Sequence, residues 1–336
     1  MKIVFDDTSV KESLYPFTAT RNAADIRIGI LTIRQKWEWI FQLDKGLASF
    51  EAITLPANII PTKENAQSII KQLKTNNYLT IQYPWDIFLL NDKALRNDFD
   101  LITLGRQSSP ISSSNKIIGV ENIFIEEGAR VEHSILNAST GPIYIGKNAD
   151  VMEGCMIRGP FALCENAVLK MGSKVYGATT IGPNCASAGE IKNSILFANS
   201  NKAHDGYLGD SVIGEWCNLG AGTSNSNVKN TAGMVKVWNN TQKAFAPVGL
   251  KAGLIMGDYS RAAINTAFNT GTTVGVCCNI FGTDFPPKFV PDFTWGKERY
   301  QFDKAVQDID NWKKFKGRNI TSQEITILEN LYKQLT

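Results

Sequence analysis

Ile145-Gly-Lys-Asn-Ala149-Asp-Val151-Met-Glu-Gly-Cys155-Met-Ile157-Arg-Gly-Pro-Phe161-Ala-Leu163-Cys-Glu-Asn-Ala167-Val-Leu169-Lys-Met-Gly-Ser173-Lys-Val175-Tyr-Gly-Ala-Thr179-Thr-Ile181-Gly-Pro-Asn-Cys185 repeats every six residues. Ile145, Val151, Ile157, Leu163, Leu169, Val175 and Ile181 are all aliphatic. The residues four places after them are Ala149, Cys155, Phe161, Ala167, Ser173, Thr179 and Cys185, all small except Phe161. A helix would scatter a six-residue period round its surface, because six does not match 3.6. Three short strands in succession make one triangular coil of 18 residues, with the aliphatic residue inside and the small one near a corner. The spacing therefore predicts a left-handed parallel β-helix, whose coils bury their faces only by stacking on one another.

The same beat returns at Ile213 and Leu219, then at Phe268, Val274 and Ile280, and Ile117 to Ile135 reads as a ragged first coil. Cys155, Cys185, Cys217 and Cys278 fall on the small inward position, where a thiol behaves as a small hydrophobe. Outward from the prism, Lys2 to Phe5 and Tyr78 to Gln82 read as strands. Ile26 to Phe41 is apolar-periodic, and Thr62 to Asn76 reads as a helix. The expected organisation is a small α/β domain over 1–105, a Ser/Pro-bearing linker over 106–115, the β-helix over 116–283 and a helical tail over 284–336. In the tail, Asp303 to Lys314 and Thr321 to Leu335 read as helices. The second opens on a capping box, Thr321-Ser-Gln-Glu324. The fold class is thus mainly β, with a small amino-terminal α/β unit and carboxy-terminal helices.

Over 336 residues, 35 Lys+Arg stand against 32 Asp+Glu, a net charge of +3. That balance is too even for nucleic acid or an anionic membrane to be the main partner. No apolar run reaches the ~18 residues of a membrane span. The opening Met1-Lys-Ile-Val-Phe-Asp-Asp7 turns acidic too early for a secretory signal, so the expected location is the cytoplasm, with reduced cysteines.

The rhythm fails between Ile195 and Leu208, and His204, one of two histidines, lies in that gap. A break reads as a loop leaving the prism, and loops on rigid scaffolds commonly carry function. A neutral imidazole there suits a general base for an amine; it equally suits a loop cap.

From Glu190 to Asn227 the sequence closely resembles the acetyltransferase half of the bacterial bifunctional enzymes that make UDP-N-acetylglucosamine. These join a glucosamine-1-phosphate N-acetyltransferase to an N-acetylglucosamine-1-phosphate uridylyltransferase. The specific element is K-x11-H-x2-Y-L-G-D, from Lys192 through His204 and Tyr207 to Asp210. The resemblance implies that His204 takes a proton from the sugar amine and that Lys192 and Tyr207 bind the sugar phosphate. It implies that Asn218 and Asn227 hold the sugar and the acetyl group, and that the Ala221 backbone faces the thioester. Lys170 falls near the family's phosphate-binding arginine, with Lys174 as its rival; a lysine lacks the bidentate fork of arginine. The implied co-substrate is acetyl-CoA, the implied partner an amino-sugar phosphate and the implied assembly a homotrimer. No metal is needed for acyl transfer.

The whole chain resembles a variant of that family with an unusual sugar nucleotidyltransferase half. The resembling residues are Leu14-Tyr-Pro-Phe-Thr-Ala-Thr-Arg21-Asn-Ala-Ala-Asp25-Ile-Arg27-Ile-Gly29 onward to Trp37, and Trp85 to Asn91. Family members carry proline where this chain has Asn22. The half is short, and it lacks a G-x-G-T-R phosphate loop. Arg21, Asp25 and Arg27 read either as a nucleotide and metal site, with Mg²⁺ only if nucleotidyl transfer is retained, or as a structural ion-pair cluster. The short domain favours the second. The expected function is acetyl-CoA-dependent N-acetylation of an amino-sugar phosphate. The alternatives are a full sugar-1-phosphate nucleotidyltransferase with the prism as its oligomerisation platform, and a scaffold with no turnover.

Overall fold

The computed structural model describes residues 2–43, 52–71 and 78–335. From Lys116 to Trp295 the chain winds a parallel β-solenoid with three faces. Each coil visits the faces in the same order: Lys116–Ile118, Ile123–Ile125 and Arg130–Val131 are followed directly by Ile135–Asn137 back on the first. The three ladders hold six, nine and ten strands, and are named here by those numbers. The first is carried on by the pair Ser224–Asn225 and Ala267–Phe268.

All seven aliphatic residues of the repeat, Ile145 to Ile181, are buried in one core that runs along the prism axis. The four inward cysteines are buried there too, with free thiols. Past Phe285-Pro286-Pro287 the stack takes two more parallel strands, Phe289–Val290 and Thr294–Trp295. An antiparallel hairpin, Val235–Asn239 with Ala244–Gly249, is inserted between Asn225 and Ile255.

Two faces are covered by the rest of the chain. On the nine-strand face the outward residues are themselves apolar: Ala162, Ile195, Val212 and Ile255 are buried. A strand apolar on both sides needs a partner layer, and the amino-terminal domain supplies it. Among its described residues that domain has two parallel strands, β1 (Lys2–Asp6) and β2 (Ala52–Pro56), and three α-helices, α1 (Ile33–Leu43), α2 (Ala66–Ile70) and α3 (Pro84–Thr103). The long helix α3 opens with Pro84 at its first position and a capping box in which the Asp86 carboxylate accepts from the Tyr83 amide. This helix was not among the elements expected. It packs on the nine-strand face.

The expected helix over 62–76 is described only as the short α2, and residues 72–77 lie outside the described residues. Of the Tyr78 to Gln82 strand, Leu79–Thr80 forms, antiparallel to Ile59–Ile60. The apolar run from Ile26 becomes helical only at Ile33. Before that it makes a turn, with Gly29 at φ +74°.

On the ten-strand face sit α4 (Phe302–Phe315) and α5 (Ser322–Lys333). Thr321 and Glu324 form the expected capping box. The Arg261 guanidinium, buried on the outer side of that face, lies 5.5 Å from the Trp312 ring centroid. Lys316 donates to the carbonyls of Asn184 and Asn199 and to the Asn201 side chain. The six-strand face keeps Ile118, Ile135 and Met156 exposed. Among the described residues no helix is long and apolar enough to cross a membrane.

Candidate functional site

The loop expected at His204 does not leave the prism. Asn201–Lys202 pairs with Ala186–Ser187 on the ten-strand face, and Tyr207–Gly209 pairs with Glu190–Lys192 on the six-strand face. Ala203 to Gly206, with His204 among them, form only the corner between the two strands. The rhythm breaks because residues are missing. After Ile181 the inward positions are Ser187, Ile191, Leu196, Lys202, Leu208, Ile213 and Leu219. The corner between Ser187 and Glu190 is only Ala188-Gly189, whereas the corners on either side, Lys170 to Ser173 and Ala203 to Gly206, have four residues. Glycine makes the tight stacking possible. Gly189 has φ +80°, and a Cβ on it would meet the Gly206 carbonyl at 2.7 Å. A Cβ on Gly206, at φ +126°, would meet the Thr223 carbonyl at 2.1 Å.

This leaves the His204 corner standing out beside a shorter one. The imidazole is exposed, while its backbone is tied down on both sides. The Lys202 ammonium donates to the His204 carbonyl at 2.6 Å, and the Asp205 carbonyl accepts from the Gly222 amide. Lys202 points into the prism and is 2% exposed. Burial pushes its amine down to about 8, with Asp205 acting in the opposite sense.

On the six-strand face Lys174, Glu190 and Tyr207 stand in one outward column, and Tyr176, Lys192 and Gly209 in the next. The Lys192 ammonium lies 5.8 Å from the Tyr176 ring centroid, and the Tyr176 hydroxyl donates to Glu190. The Tyr207 hydroxyl accepts from the Asn227 amide at 3.1 Å, and Asn227 also donates to Asp210. Burial, with Asp210 nearby, pushes the Tyr207 phenol up to about 12, so it remains a proton donor at neutral pH. The Ala221 carbonyl accepts from the Asn265 amide. Asn218 lies round the corner on the ten-strand face, its side-chain carbonyl 3.5 Å from the Asn201 amide. Lys170 sits at the same prism corner as His204, two coils away. Lys174 shares the Tyr207 column.

The chain thus brings Tyr207 and Asn227 into contact and sets Lys192 one position over. It places His204 and Ala221 on adjoining corners and Asn218 on the neighbouring face. Sequence reasoning missed Tyr176 and Glu190 on this face and the inward Lys202 behind the His204 corner.

Arg21, Asp25 and Arg27 do not converge. Arg21 is paired to Glu215, at 3.0 Å, and to Asp258, both on the solenoid. Asp25 is held by Arg34. Arg27 is buried, donates to the Ile30 carbonyl and has Cys164 4.0 Å away. The rest of that motif is likewise spent on docking. The Asp98 carboxylate accepts from the Ile30 and Leu31 amides and pairs with the buried Lys36. Asn91 accepts from the Gly29 amide and donates to the Ala178 carbonyl. Thr180 closes the link by donating to the Gly29 carbonyl.

Residues 2–56 and 48–107 match the family model for sugar nucleotidyl transferase. The chain is 33% identical over 210 residues to a bifunctional GlmU protein from Methanocaldococcus jannaschii, covering 62% of this chain and 45% of that one. It is 29% identical over 213 residues to a bifunctional sugar-1-phosphate nucleotidylyltransferase/acetyltransferase from Sulfurisphaera tokodaii, covering 63% and 47%. A GlmU protein from Synechococcus elongatus is 26% identical over 164 residues, covering 46% and 32%. The chain spans less than half the length of these relatives. The chain thus carries the K-x11-H-x2-Y-L-G-D element on a parallel solenoid, behind a domain that matches the sugar nucleotidyl transferase model, and about three fifths of it is similar to bifunctional nucleotidyltransferase/acetyltransferase proteins of the GlmU type.

Proposed function

We propose that the chain transfers an acetyl group from acetyl-CoA to the amine of an amino-sugar phosphate of the glucosamine-1-phosphate type. The observation that carries this reading is the exposed His204 at a prism corner, beside a face that presents Lys192, Tyr207 and Asn227. The amine nitrogen attacks the thioester carbonyl carbon, the C–N bond forms and the C–S bond breaks. His204 takes the proton released by the amine and returns it to the departing thiolate. Lys192 and Tyr207 hold the phosphate, with Lys170 or Lys174 adding a second cation. Asn218 and Asn227 orient the sugar and the acetyl group. The Ala221 carbonyl is already bonded to Asn265, which leaves its amide to face the thioester oxygen. Most of the rate comes from positioning, and the base adds about 10²–10⁴. Thiol release from acetyl-CoA, tested against a panel of amino-sugar 1-phosphates, checks it. No turnover with any of them would leave the scaffold reading.

The working unit in this reading is a homotrimer in the cytoplasm. The six-strand face supports the assembly, because it carries the site and keeps exposed apolar side chains while the other two faces are covered. Light scattering should report three times the 37.1 kDa chain mass; a monomer at micromolar concentration would count against it.

A second reading, nucleotidyl transfer by residues 2–107, is favoured by the family match. Ligands of open α/β sheets bind beyond the carboxyl ends of the strands. A cavity of about 460 Å³ lies there, lined by Asp6, Ser9, Thr54 and Pro56. Mg²⁺ belongs to this reading alone. One carboxylate with substrate phosphates is an ordinary site for it, and Asp6 is the carboxylate at hand. With Arg21, Asp25 and Arg27 engaged elsewhere, weak nucleotidyl transfer is expected. Ordinary turnover of UTP or dTTP with a sugar 1-phosphate, lost in Arg21→Ala, would show otherwise.

A further inference from the structure

A hexapeptide prism keeps charge out of its interior, and Lys202 breaks that rule. Along the ten-strand face the inward column reads Leu169, Ser187, Lys202, Leu219, each paired in register with the next coil or held in the same ladder. Desolvating an ammonium is expensive unless it is well paired. Among the described residues its one hydrogen-bond acceptor is the His204 carbonyl, 2.6 Å away. Ser187, directly above, is small enough to leave room for the amine, and its own buried hydroxyl has no hydrogen-bond partner. An aliphatic residue would fill the column more cheaply. The lysine therefore has to be explained by where it points, and it points at the backbone of the residue carrying the exposed imidazole.

We propose that Lys202 is the positioning residue of His204: from inside the prism it clamps the His204 carbonyl and so fixes the corner from which the imidazole meets substrate. The proposal rests on the acetyl-transfer reading above. The geometry supports it in a second way. A four-residue corner with glycine at its end has backbone freedom to lose, and among the described residues two hydrogen bonds restrain its middle. These are the Lys202 contact to the His204 carbonyl and the Gly222 amide to the Asp205 carbonyl. Removing the first frees the peptide that follows His204, and small misplacements of a catalytic group cost rate steeply.

The test is a cycle of Lys202→Met, His204→Ala and the double variant in the full chain, assayed by thiol release from acetyl-CoA with glucosamine 1-phosphate, with thermal unfolding of each. Lys202→Met should lower kcat by about ten- to a hundredfold with little change in KM for the sugar. It should also unfold at a higher temperature, because a buried charge has gone. In the His204→Ala background it should cost nothing further, since a residue acting through another adds no loss once that other is absent. A merely structural lysine would lower stability and rate together and would act equally in both backgrounds; either result overturns the proposal. So does wild-type kcat in Lys202→Met, or a Lys202→Met chain that fails to fold. If His204→Ala itself turns over at the wild-type rate, the base assignment falls and takes the proposal with it. If His204→Ala is crippled while Lys202→Met is not, only the proposal falls.

Discussion

Residues 145–185 and 187–227 belong to the same prism and obey different rules. In the first stretch every inward position of the six-residue series is aliphatic and each ten-strand to six-strand corner has four residues. In the second, a corner has shrunk to Ala188-Gly189, a lysine faces inward, and an exposed histidine stands at the next corner. The first stretch buries surface and nothing else. The second gives up some of that burial and sets an exposed histidine corner against a shortened one. The difference teaches that a solenoid can set apart one of its corners by deleting residues from a coil as well as by extruding a loop.

The harshest way to break the comparison is to put the second stretch's anomaly into the first. Ile157 is an ordinary inward residue, 2% exposed. Ile157→Lys should destabilise the fold by about 5 kcal/mol or more, since an unpaired buried charge has no acceptor arranged for it. Denaturant unfolding checks this. A small loss would mean that the prism tolerates inward lysines generally, and Lys202 would need no special account.

Next in size is His204→Ala, expected to lower kcat by about 10²–10⁴ while KM for the sugar stays nearly unchanged. Steady-state kinetics on an authenticated amino-sugar phosphate decide it. Retention of wild-type turnover would make the second stretch a structural variant of the first, and the acetyl-transfer reading would rest on resemblance alone.

How much of this was legible follows from particular residues. The prism was, because an inward aliphatic every six residues has no other economical reading. The shortened coil was legible in principle, from a signal other than hydrophobicity. Asn148, Asn166, Asn184 and Asn199 all take positive φ at the same point of successive corners. They fall 18, 18 and then 15 residues apart, so three residues have been lost between 184 and 199. Asparagine is tolerated in the left-handed region, so its spacing marks coils where apolar spacing fails. Lys202 was invisible without that count, because its inward position is known only once the register is known. The amino-terminal motif misled in the opposite direction. Arg21, Asp25 and Gly29 look like a site in one dimension. Asp25 is held by the nearby Arg34, but the partners of Arg21 and Gly29, namely Glu215, Asp258 and Asn91, come from 62 to 237 residues away, and no local pattern reports them.

A third prediction uses a buried charge at the far end of the stack. Burial pushes the Asp292 carboxyl up from 3.8 to about 6, although the Val276 amide and the Tyr15 hydroxyl both donate to it. A raised carboxyl leaves stability intact below pH ~4 and erodes it as pH rises through ~6, because the folded state must then hold the charge. At ~1.36 kcal/mol per unit the penalty above pH 6 is about 3 kcal/mol. Asp292→Asn keeps the acceptor and drops the charge. It should match the wild type near pH 4 and exceed it by up to that amount at pH 7, with activity unaltered. Unfolding curves between pH 4 and 8 test this. An asparagine variant less stable at pH 7 would show that the ionised carboxylate is held by more than those two donors.

The smallest effect expected is the one that best separates the parts of the second stretch. Lys192 is only partly buried, and its ammonium faces the Tyr176 ring rather than a carboxylate within bonding distance. Its cation is therefore free to meet an anion without first breaking an ion pair. A phosphate held equally in ground and transition states contributes uniform binding, which appears in KM and not in kcat. Lys192→Ala should raise KM for the sugar phosphate about tenfold, or ~1.4 kcal/mol, with kcat within about twofold of wild type. It should have no comparable effect on an amino sugar lacking the phosphate. Lys192→Arg should recover part of the loss, because the charge returns at similar reach. If Lys192→Ala instead lowers kcat with KM unchanged, the lysine acts on the reacting atoms. The division of labour between the face and the His204 corner would then have to be redrawn. A kcat loss shared by Lys192→Ala and His204→Ala but not additive in the double variant would place both in one catalytic unit rather than in a binding face beside a basic corner.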